Sequence, residues 1–290
     1  MARRLDRRRS LTAEGAAFAR AAGLRHIGAP DEALESLLPA FARLVLRAGW
    51  TRRGALRLVD RIAPGMPGYH LARTRFFDER LAHALGAGAQ QVVLLCAGLD
   101  TRAHRLRRIL AGATVFEVDH PQTSAWKRAR VARLAGGPHA HPAVRYVACD
   151  LRVDALGDCL HAAGLERKVT TFVIWEGATM YLESACVART FRELAGVADL
   201  ISVAFDYLDR RALETPGSFP GAQRNLDVVA RRGEPYVFGL SPGQVDAFVD
   251  AAGFVLGLNH EARAWGDTRP GHLPTLGFAG LAEAHKAAER

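Results

Sequence analysis

Polar residues follow four short apolar runs, at the positions where a parallel sheet would bring them together. Gly98 lies in the turn after the first run, Asp119 ends the second, Asp150 follows the third and Glu176 follows the fourth. Because the carboxyl ends of parallel strands meet at one edge of a sheet, we expect these residues to line one cleft. A glycine lets a ligand approach the backbone, and carboxylates bind hydroxyl groups and cations. The alternative for each acid is a helix cap or a solvated loop end.

The spacing of these residues favours a positively charged nucleoside as the ligand. Asp119 lies 21 residues after Gly98, about where nucleoside-binding α/β proteins place the acid that binds ribose. The turn lacks the G-x-G-x-x-G pattern that holds a pyrophosphate, which disfavours a nicotinamide cofactor. S-adenosylmethionine carries no phosphate, bears a sulfonium cation, and offers ribose hydroxyls and an amino group to acids. The sequence therefore favours S-adenosylmethionine as the cofactor.

The elements that position these residues alternate in type from residue 88 onward. Short apolar runs separated by helical stretches are typical of a parallel sheet with helical crossovers. The predicted strands are residues 92–96, 115–119, 144–149, 172–175, 200–205, 254–258 and a last strand near 276–281. The predicted helices between them are residues 102–110, 122–134, 153–163, 185–195 and 242–252. We predict a doubly wound, mostly parallel α/β sheet of seven strands in residues 88–290.

The segments before and within this core differ from it in predicted secondary structure. Residues 1–87 contain predicted helices at 11–24, 31–47 and 70–85, which we expect to form a helical cap integral to the domain. Residues 207–240 interrupt the strand and helix pattern with several prolines and glycines. This interruption predicts a lid insertion after the fifth strand, covering one end of the sheet.

Composition and charge exclude several classes of protein. The 290 residues are 49% hydrophobic and 24% charged, the balance of a globular protein. No apolar stretch approaches the roughly 20 residues of a membrane span, and Glu14 and Arg20 interrupt the position of a signal-peptide core, so we expect a cytoplasmic protein without a membrane partner. The four cysteines form no C-x-x-C pair, which predicts isolated buried thiols and no metal site.

The excess of basic residues does not by itself indicate a nucleic-acid partner. The net charge is +9, and five arginines lie within residues 3–9. The basic residues are nevertheless spread along the whole chain, and no interleaved aromatic residues offer a stacking platform. We therefore expect a small-molecule substrate and no nucleic-acid partner. The sequence leaves the oligomeric state open.

Three motifs carry a family resemblance. They are QVVLLCAGLDTRAHRL at 91–106, FEVDHP at 116–121 and WEGATMYL at 175–182, with further similarity at 10–15, 73–78 and 233–236. Together they resemble the leucine carboxyl methyltransferase family of class I S-adenosylmethionine-dependent methyltransferases. That family includes the methyltransferases of the C-terminal leucine of protein phosphatase 2A and bacterial tetracenomycin-type polyketide carboxyl O-methyltransferases. The resemblance covers most of the chain and implies a Rossmann-like methyltransferase fold and an S-adenosylmethionine-dependent enzyme.

The resemblance implies a role for each cofactor-binding residue. Position by position, Arg73 would pair with the methionine carboxylate, Gly98 would lie against the cofactor, Asp119 would bind the ribose hydroxyls, Asp150 and Leu151 the adenine edge, and Glu176 the amino-acid end. A guanidinium can bind a carboxylate through two parallel hydrogen bonds, and a carboxylate accepts two hydroxyl donors, so the residue types suit these roles.

The resemblance says less about the residues that bind the methyl acceptor. Tyr181 would face the methyl-transfer site and, with Arg73, is a candidate catalytic residue. The candidate substrate-binding residues are Tyr181, Arg210, Arg211, Arg224 and Tyr236, although most arginines of the insertion could simply be solvated. A carboxylate is already ionised at pH 7 and needs no general base, whereas a hydroxyl acceptor does.

Because no clear His–Asp pair appears in the sequence, we favour the carboxylate of a small polyketide or aromatic acid as the acceptor. The alternatives are a hydroxyl of a secondary metabolite, a protein C-terminal carboxylate, and a non-catalytic module that binds S-adenosylmethionine. His104, His120 and His260 are weaker candidates for a base, since scattered histidines usually lie on the surface or in the core.

Three further positions are candidates for a role near the cofactor. Cys96 stands where the family usually has glycine; we expect the backbone there not to require a positive φ, and cofactor binding to be retained. Glu117 shares a strand face with Asp119 and is the alternative ribose ligand. Asp78 is either a helix-surface acid or a ligand residue.

Overall fold

The computed structural model describes residues 11–132 and 144–287. The basic run at 3–9 and the predicted end of a helix at Leu134 lie outside the described residues. The helices are α1 (Leu11–His26), α2 (Glu32–Leu37), α3 (Ala40–Arg47), α4 (Gly49–Ile62), α5 (Met66–Gly86), α6 (Arg102–Arg105), α7 (Pro121–Ala132), α8 (Leu156–Ala162), α9 (Ser184–Val197), α10 (Arg210–Glu214), α11 (Ala222–Arg231), α12 (Val245–Asp250) and α13 (Ala262–Asp267). The strands are β1 (Gln91–Leu95), β2 (Thr114–Asp119), β3 (Val144–Ala148), β4 (Thr171–Trp175), β5 (Ile201–Leu208), β6 (Phe254–Glu261) and β7 (Ala279–Lys286).

The seven strands form one sheet in the order β3-β2-β1-β4-β5-β7-β6. The pairs from β3 to β5 are parallel, and β7 runs antiparallel to both β5 and β6. The strand order reverses between β1 and β4, which opens a crevice at their carboxyl ends. This architecture confirms the predicted doubly wound, mostly parallel sheet of seven strands.

The apolar runs are strands because the sheet is covered on both faces. In β4, Val173 and Trp175 pack into the core on one face, while Phe172 and Ile174 pack into the core on the other. Successive side chains of a strand point to opposite faces, so a strand buried on both sides is apolar at most of its positions. The sheet thus places the ends of β1 and β4 rigidly beside each other.

Several predicted boundaries are wrong. The helix predicted at 31–47 is two helices, because Leu38, which precedes Pro39, has the extended conformation (ψ 155°) that proline favours in the residue before it. Helix α4 was not predicted, and α6 is one turn in place of nine residues. Strand β5 continues to Leu208, so the insertion begins after it. The last strand begins at Ala279, later than predicted.

The insertion after β5 packs against the N-terminal helices. Asn225 of α11 donates a hydrogen bond through Nδ2 to the carbonyl of Pro64, at 3.0 Å. Gly221 lies directly against the Pro64 ring. Among the residues that the structure describes, no helix combines the length and the apolar character needed to cross a membrane.

Candidate active site

A cavity of about 620 Å³, open to solvent, lies at the carboxyl ends of β1 and β4. The walls come from α1, α5, the turn after β1 and the turn after β4; the polar residues and glycines among them are Arg20, Arg73, Gly98, Asp100, Glu176 and Gly177. The structure therefore brings Arg73, Gly98 and Glu176 together, although they are far apart in the sequence.

Two carboxylates hold the guanidinium of Arg73 at the cavity wall. Its Nε donates to Glu176 Oε1 at 3.0 Å and its Nη1 to Asp206 Oδ2 at 3.3 Å, and the group lies over the ring of Tyr69. Burial alone would lower the pKa of Arg73, but the carboxylates of Glu176 and Asp206 raise it above its ordinary value. A guanidinium has five N–H donors, so these two bonds leave others for a ligand carboxylate.

Gly177 allows the guanidinium of Arg73 to lie close to the backbone. Its φ is +69°, and a Cβ added there would lie 2.8 Å from both terminal nitrogens of Arg73. Its backbone N–H donates to Asp206 Oδ1 at 2.6 Å. Any other residue at 177 would therefore displace the guanidinium as well as strain the backbone.

Asp206 is a site residue that the sequence analysis missed. It is fully buried in β5 and accepts hydrogen bonds from the hydroxyl of Tyr69, from Arg73 and from the N–H of Gly177. Burial raises the pKa of Asp206, and the charge of Arg73 opposes that rise. The signal in the sequence was an acid inside an otherwise apolar run, where an acid needs buried partners.

Arg102 is a second buried arginine that the sequence analysis assigned no role. Only 1% of its side chain is exposed. Its Nη1 donates to Glu176 Oε2 and to Asp100 Oδ2, both at 2.5 Å, and its Nε donates to Asp78 Oδ1 at 2.8 Å. Asp78 is therefore an ion-pair partner inside the protein and does not reach the cavity. Glu176 is held between two arginines that come from different helices.

Asp119 lies beside the turn that contains Gly98. Its Oδ2 accepts the N–H of Gly98 at 2.5 Å, and its Oδ1 accepts the N–H of His120 at 2.7 Å. Burial raises the pKa of Asp119 above its ordinary value, and the hydrogen bonds from the two backbone donors only partly oppose that rise. Each carboxylate oxygen can accept one more hydrogen bond, so the group can still bind hydroxyls. The prediction of Glu117 as the alternative ribose ligand is wrong, because its buried carboxylate forms an ion pair with Lys127, with Nζ and Oε2 2.7 Å apart.

Asp150 and Leu151 lie at the end of β3 and are outside the residues that line the cavity. Asp150 binds the guanidinium of Arg152 through both oxygens, and its Oδ2 lies 3.8 Å from Nε2 of His120. Leu151 is buried in the core, and its carbonyl accepts a hydrogen bond from Arg189. Their predicted contact with adenine stays a prediction.

Tyr181 and Tyr236 lie together, near enough to Arg73 for its charge to act on the pKa of both phenols. Their ring centroids are 5.2 Å apart, and the N–H of Val237 donates to the carbonyl of Met180 at 2.8 Å, which fixes the insertion to the turn after β4. Burial raises the pKa of Tyr181 well above its ordinary value, and the neighbouring Tyr236 raises it further. Burial likewise raises the pKa of Tyr236. Both phenols are protonated at neutral pH.

The three candidate arginines of the insertion do not line this cavity. Arg211 pairs with Asp209 at the start of its own helix, and Arg210 donates through Nε to the carbonyl of Gly239 at 3.2 Å. Arg224 faces a separate cavity between α4 and α11. Tyr181 and Tyr236 are also outside the residues that line the cavity, so their contact with the acceptor stays a prediction, and the structure places Arg210, Arg211 and Arg224 elsewhere.

The expectation for the backbone of Cys96 is wrong. Among the described residues other than glycine, Cys96 alone has a positive φ, 54°. The chain turns sharply there from β1 into the cavity wall, and the left-handed conformation costs a non-glycine residue roughly 1–2 kcal/mol. Burial raises the pKa of the Cys96 thiol well above its ordinary value, so the thiol is neutral and a poor nucleophile.

Replacing Cys96 by glycine is expected to raise the free energy of unfolding by about 1 kcal/mol, because the penalty for the left-handed backbone is removed. Urea denaturation measures this change. The matched control is Ala97→Gly, at a neighbouring position without a positive φ, which should lose about 0.5–1 kcal/mol. A loss of stability in Cys96→Gly as large as that in Ala97→Gly would contradict a backbone penalty at Cys96.

Comparisons with known proteins identify the family of this chain. Residues 13–195 match the family model "Leucine carboxyl methyltransferase". A Mycobacterium avium (strain 104) protein, described as a "putative S-adenosyl-L-methionine-dependent methyltransferase", is 41% identical over 158 residues, which cover 54% of this chain and 44% of that protein. A protein of Mycobacterium sp. (strain JLS) with the same description is 44% identical over 124 residues, 43% of this chain and 38% of that protein. The chain thus spans less than half the length of these curated relatives.

Two solved structures share the fold at low sequence identity. A "putative methyltransferase" from Thermobifida fusca YX superposes with a TM-score of 0.61 at 15% identity, covering 93% of this chain and 94% of that one. A DUF574 family protein from Streptomyces avermitilis MA-4680 superposes with a TM-score of 0.57 at 15% identity, covering 92% and 97%. The family match extends over more than half of the chain and confirms the resemblance in the motifs. The chain belongs to the leucine carboxyl methyltransferase family.

Proposed function

We propose that this chain is an S-adenosylmethionine-dependent O-methyltransferase that methylates the carboxylate of a small polyketide or aromatic acid, giving a methyl ester. The observation that carries the proposal is the cavity in which Arg73, Gly98 and Glu176 meet at the carboxyl ends of β1 and β4. Membership of a methyltransferase family and the descriptions of the mycobacterial relatives support the reaction class.

The residues present fit S-adenosylmethionine. Arg73 offers a cation to the cofactor carboxylate, and Glu176 an anion to its ammonium group. Among the described residues other than its two chain neighbours, none lies closer than 3.8 Å to the position a Cβ of Gly98 would take, so a ligand can approach the backbone there. Asp119, held beside Gly98, suits the ribose hydroxyls. When bound, the cofactor supplies a methyl group on a sulfonium, activated for displacement.

The chain's own residues would act by binding and orienting the reactants. Methyl transfer requires the nucleophile, the methyl carbon and the leaving sulfur to lie in line, so positioning is the main source of rate. A carboxylate acceptor is already ionised, and none of the described residues that line the cavity is a histidine. The hydroxyl of Tyr181 donates a hydrogen bond to that of Tyr236, and the remaining proton, on Tyr236, would be donated to the acceptor and fix its orientation.

We further propose that residues 1–87 act as a cap, and the insertion after β5 as a lid, over the reacting groups. Helix α1 supplies one wall of the cavity through Ala13, Ala16 and Ala17. The insertion supplies Tyr236 beside Tyr181. Enclosure from both sides would exclude water, which competes for the same hydrogen bonds.

Incubation with methyl-labelled S-adenosylmethionine and a panel of aromatic and polyketide acids is expected to give labelled products that mild base hydrolyses. Base lability identifies methyl esters, and mass spectrometry gives the acceptor. Phenols without a carboxylate serve as the matched substrates and should remain unlabelled. Base-stable ethers would favour a hydroxyl acceptor. Cofactor binding without any product would favour a non-catalytic module, and labelling only of peptides with a free C-terminus would favour a protein carboxylate.

A further inference from the structure

Two cysteines and an aspartate meet in the segment that connects β3 with α8. Cys149 directly follows β3, Asp154 lies in the intervening turn, and Cys159 lies on α8. The two thiol sulfurs and a carboxylate oxygen all lie within 4.8 Å of one another. The prediction of isolated thiols is therefore wrong for this pair. The pattern Cys-x₄-Asp-x₄-Cys was present in the sequence, but it matches no common metal-binding spacing.

This donor set suits zinc. Thiolates are soft ligands that select Zn²⁺ over Mg²⁺ and Ca²⁺, and carboxylates also bind it. With Zn–S distances of about 2.3 Å and Zn–O distances of about 2.0–2.2 Å, ligand atoms of a tetrahedral site are about 3.5–3.8 Å apart. The three ligand atoms, within 4.8 Å of one another, would have to move closer by about 1 Å to reach that distance. A water molecule would take the fourth position, and the two thiol protons would pass to solvent.

The backbone already holds the three residues in place. The N–H of Cys149 donates to the carbonyl of Asp119 at 2.9 Å, and the N–H of Cys159 donates to that of Ala155 at 3.1 Å. Oδ2 of Asp154 accepts the N–H of Asp150 at 2.8 Å, which orients the carboxylate and leaves its other oxygen for a ligand. Cys149 is only 2% exposed. Such orienting bonds behind the ligands are usual in protein metal sites.

A neighbouring cysteine differs in its environment. Cys186 on α9 donates through Sγ to the carbonyl of Leu151 at 3.3 Å and does not belong to the group. It is partly buried, as Cys159 is. Cys186 is therefore a control for thiol chemistry in the same part of the molecule.

We propose that Cys149, Asp154 and Cys159 bind a Zn²⁺ ion. The ion would link the end of β3 to the start of α8 and close the turn that contains Asp150 and Leu151. Zinc would thereby fix the two residues expected at the adenine edge. The binding itself depends only on the fold, so it stands apart from the proposed methyl transfer.

Zinc titration of the reduced full-length chain, in competition with a chromogenic chelator, is expected to show one tight site. Cys159→Ala and Asp154→Asn should each weaken it at least tenfold, whereas Cys186→Ala should leave the affinity unchanged. Co²⁺ should give a thiolate-to-metal charge-transfer band in the native chain and in Cys186→Ala, and should lose it in Cys159→Ala. Zinc should also raise the melting temperature of the native chain and leave that of Cys159→Ala unchanged.

Other outcomes would overturn the proposal. Equal zinc affinity in Cys159→Ala and the native chain would place any bound ion elsewhere. Failure of the reduced chain to bind zinc would exclude the site, and a Cys149–Cys159 disulfide recovered from the purified protein would then explain the pairing of the two thiols. Because titration uses neither S-adenosylmethionine nor an acceptor, these results are independent of whether the chain transfers methyl groups.

Discussion

Replacing Arg102 by methionine is expected to lower the free energy of unfolding by about 3–5 kcal/mol, the usual cost of removing one partner from a buried ion pair. The side chain of Arg102 is 1% exposed and binds Asp78, Asp100 and Glu176. Methionine has a similar volume but leaves these carboxylates without a counter-charge. Burial would raise the pKa of Asp100, but the charge of Arg102 holds it well below its ordinary value, so the carboxylate stays charged. Urea denaturation followed by circular dichroism measures the loss.

The control for this experiment is an ion pair on the surface. Arg231 is 80% exposed and lies 3.8 Å from Asp227, one helical turn away. Arg231→Met should change stability by about 0.5 kcal/mol or less. If Arg102→Met does not fold, Arg102→Lys should fold with an intermediate loss in the free energy of unfolding, because lysine keeps the charge but lacks the planar guanidinium. Equal stability of Arg102→Met and Arg231→Met would contradict the role of Arg102 as the central ion of the network.

Replacing Arg73 by alanine is expected to weaken the binding of S-adenosylhomocysteine at least tenfold. Truncating one partner of a buried, hydrogen-bonded charge pair costs about 2 kcal/mol or more, which corresponds to about thirtyfold in affinity. The effect should be specific to the amino-acid end of the ligand. 5′-Methylthioadenosine lacks that end and should bind Arg73→Ala and the native chain equally, as measured by calorimetry.

Asp119→Asn provides the matched contrast. Both ligands carry the ribose hydroxyls that Asp119 is proposed to bind, so this variant should weaken both by about tenfold, as expected for the loss of a hydrogen bond to a charged group. Asp246→Asn, an exposed acid on α12, should weaken neither. If Arg73→Ala weakened both ligands equally, Arg73 would act by supporting the fold and not by binding the carboxylate.

The parts of the fold that were predicted from sequence depend on local patterns. The five parallel strands appear within a few residues of their predicted positions, because strands buried on both faces are continuous apolar runs. The acids at their ends followed from the same observation, since a parallel sheet sends all carboxyl ends to one edge. The shifts of the last strand and of helix α6 reflect boundaries that tertiary packing sets and local propensity does not.

The parts that were missed depend on contacts between distant residues. Tyr69 and Asp206 are hydrogen-bonded across 137 positions of the chain, and Arg73 and Glu176 across 103. No local pattern reports such pairings. The positive φ of Cys96 was missed for a related reason: the sharp turn follows from how β1 meets the cavity wall, and cysteine itself gives no sign of it.

The two arginines that hold Glu176 come from opposite sides of residue 88. Arg73 lies on α5, before that residue, and Arg102 lies on α6, after it. Residue 88, where the predicted secondary structure changes, therefore does not divide the binding residues into two separate groups. A fragment that starts at residue 88 would expose Asp206 and Glu176 without their counter-ion from α5, and it would lack a wall of the pocket. The helical region consequently cannot be exchanged between homologues as a specificity module unless Tyr69 and Arg73 are kept with it.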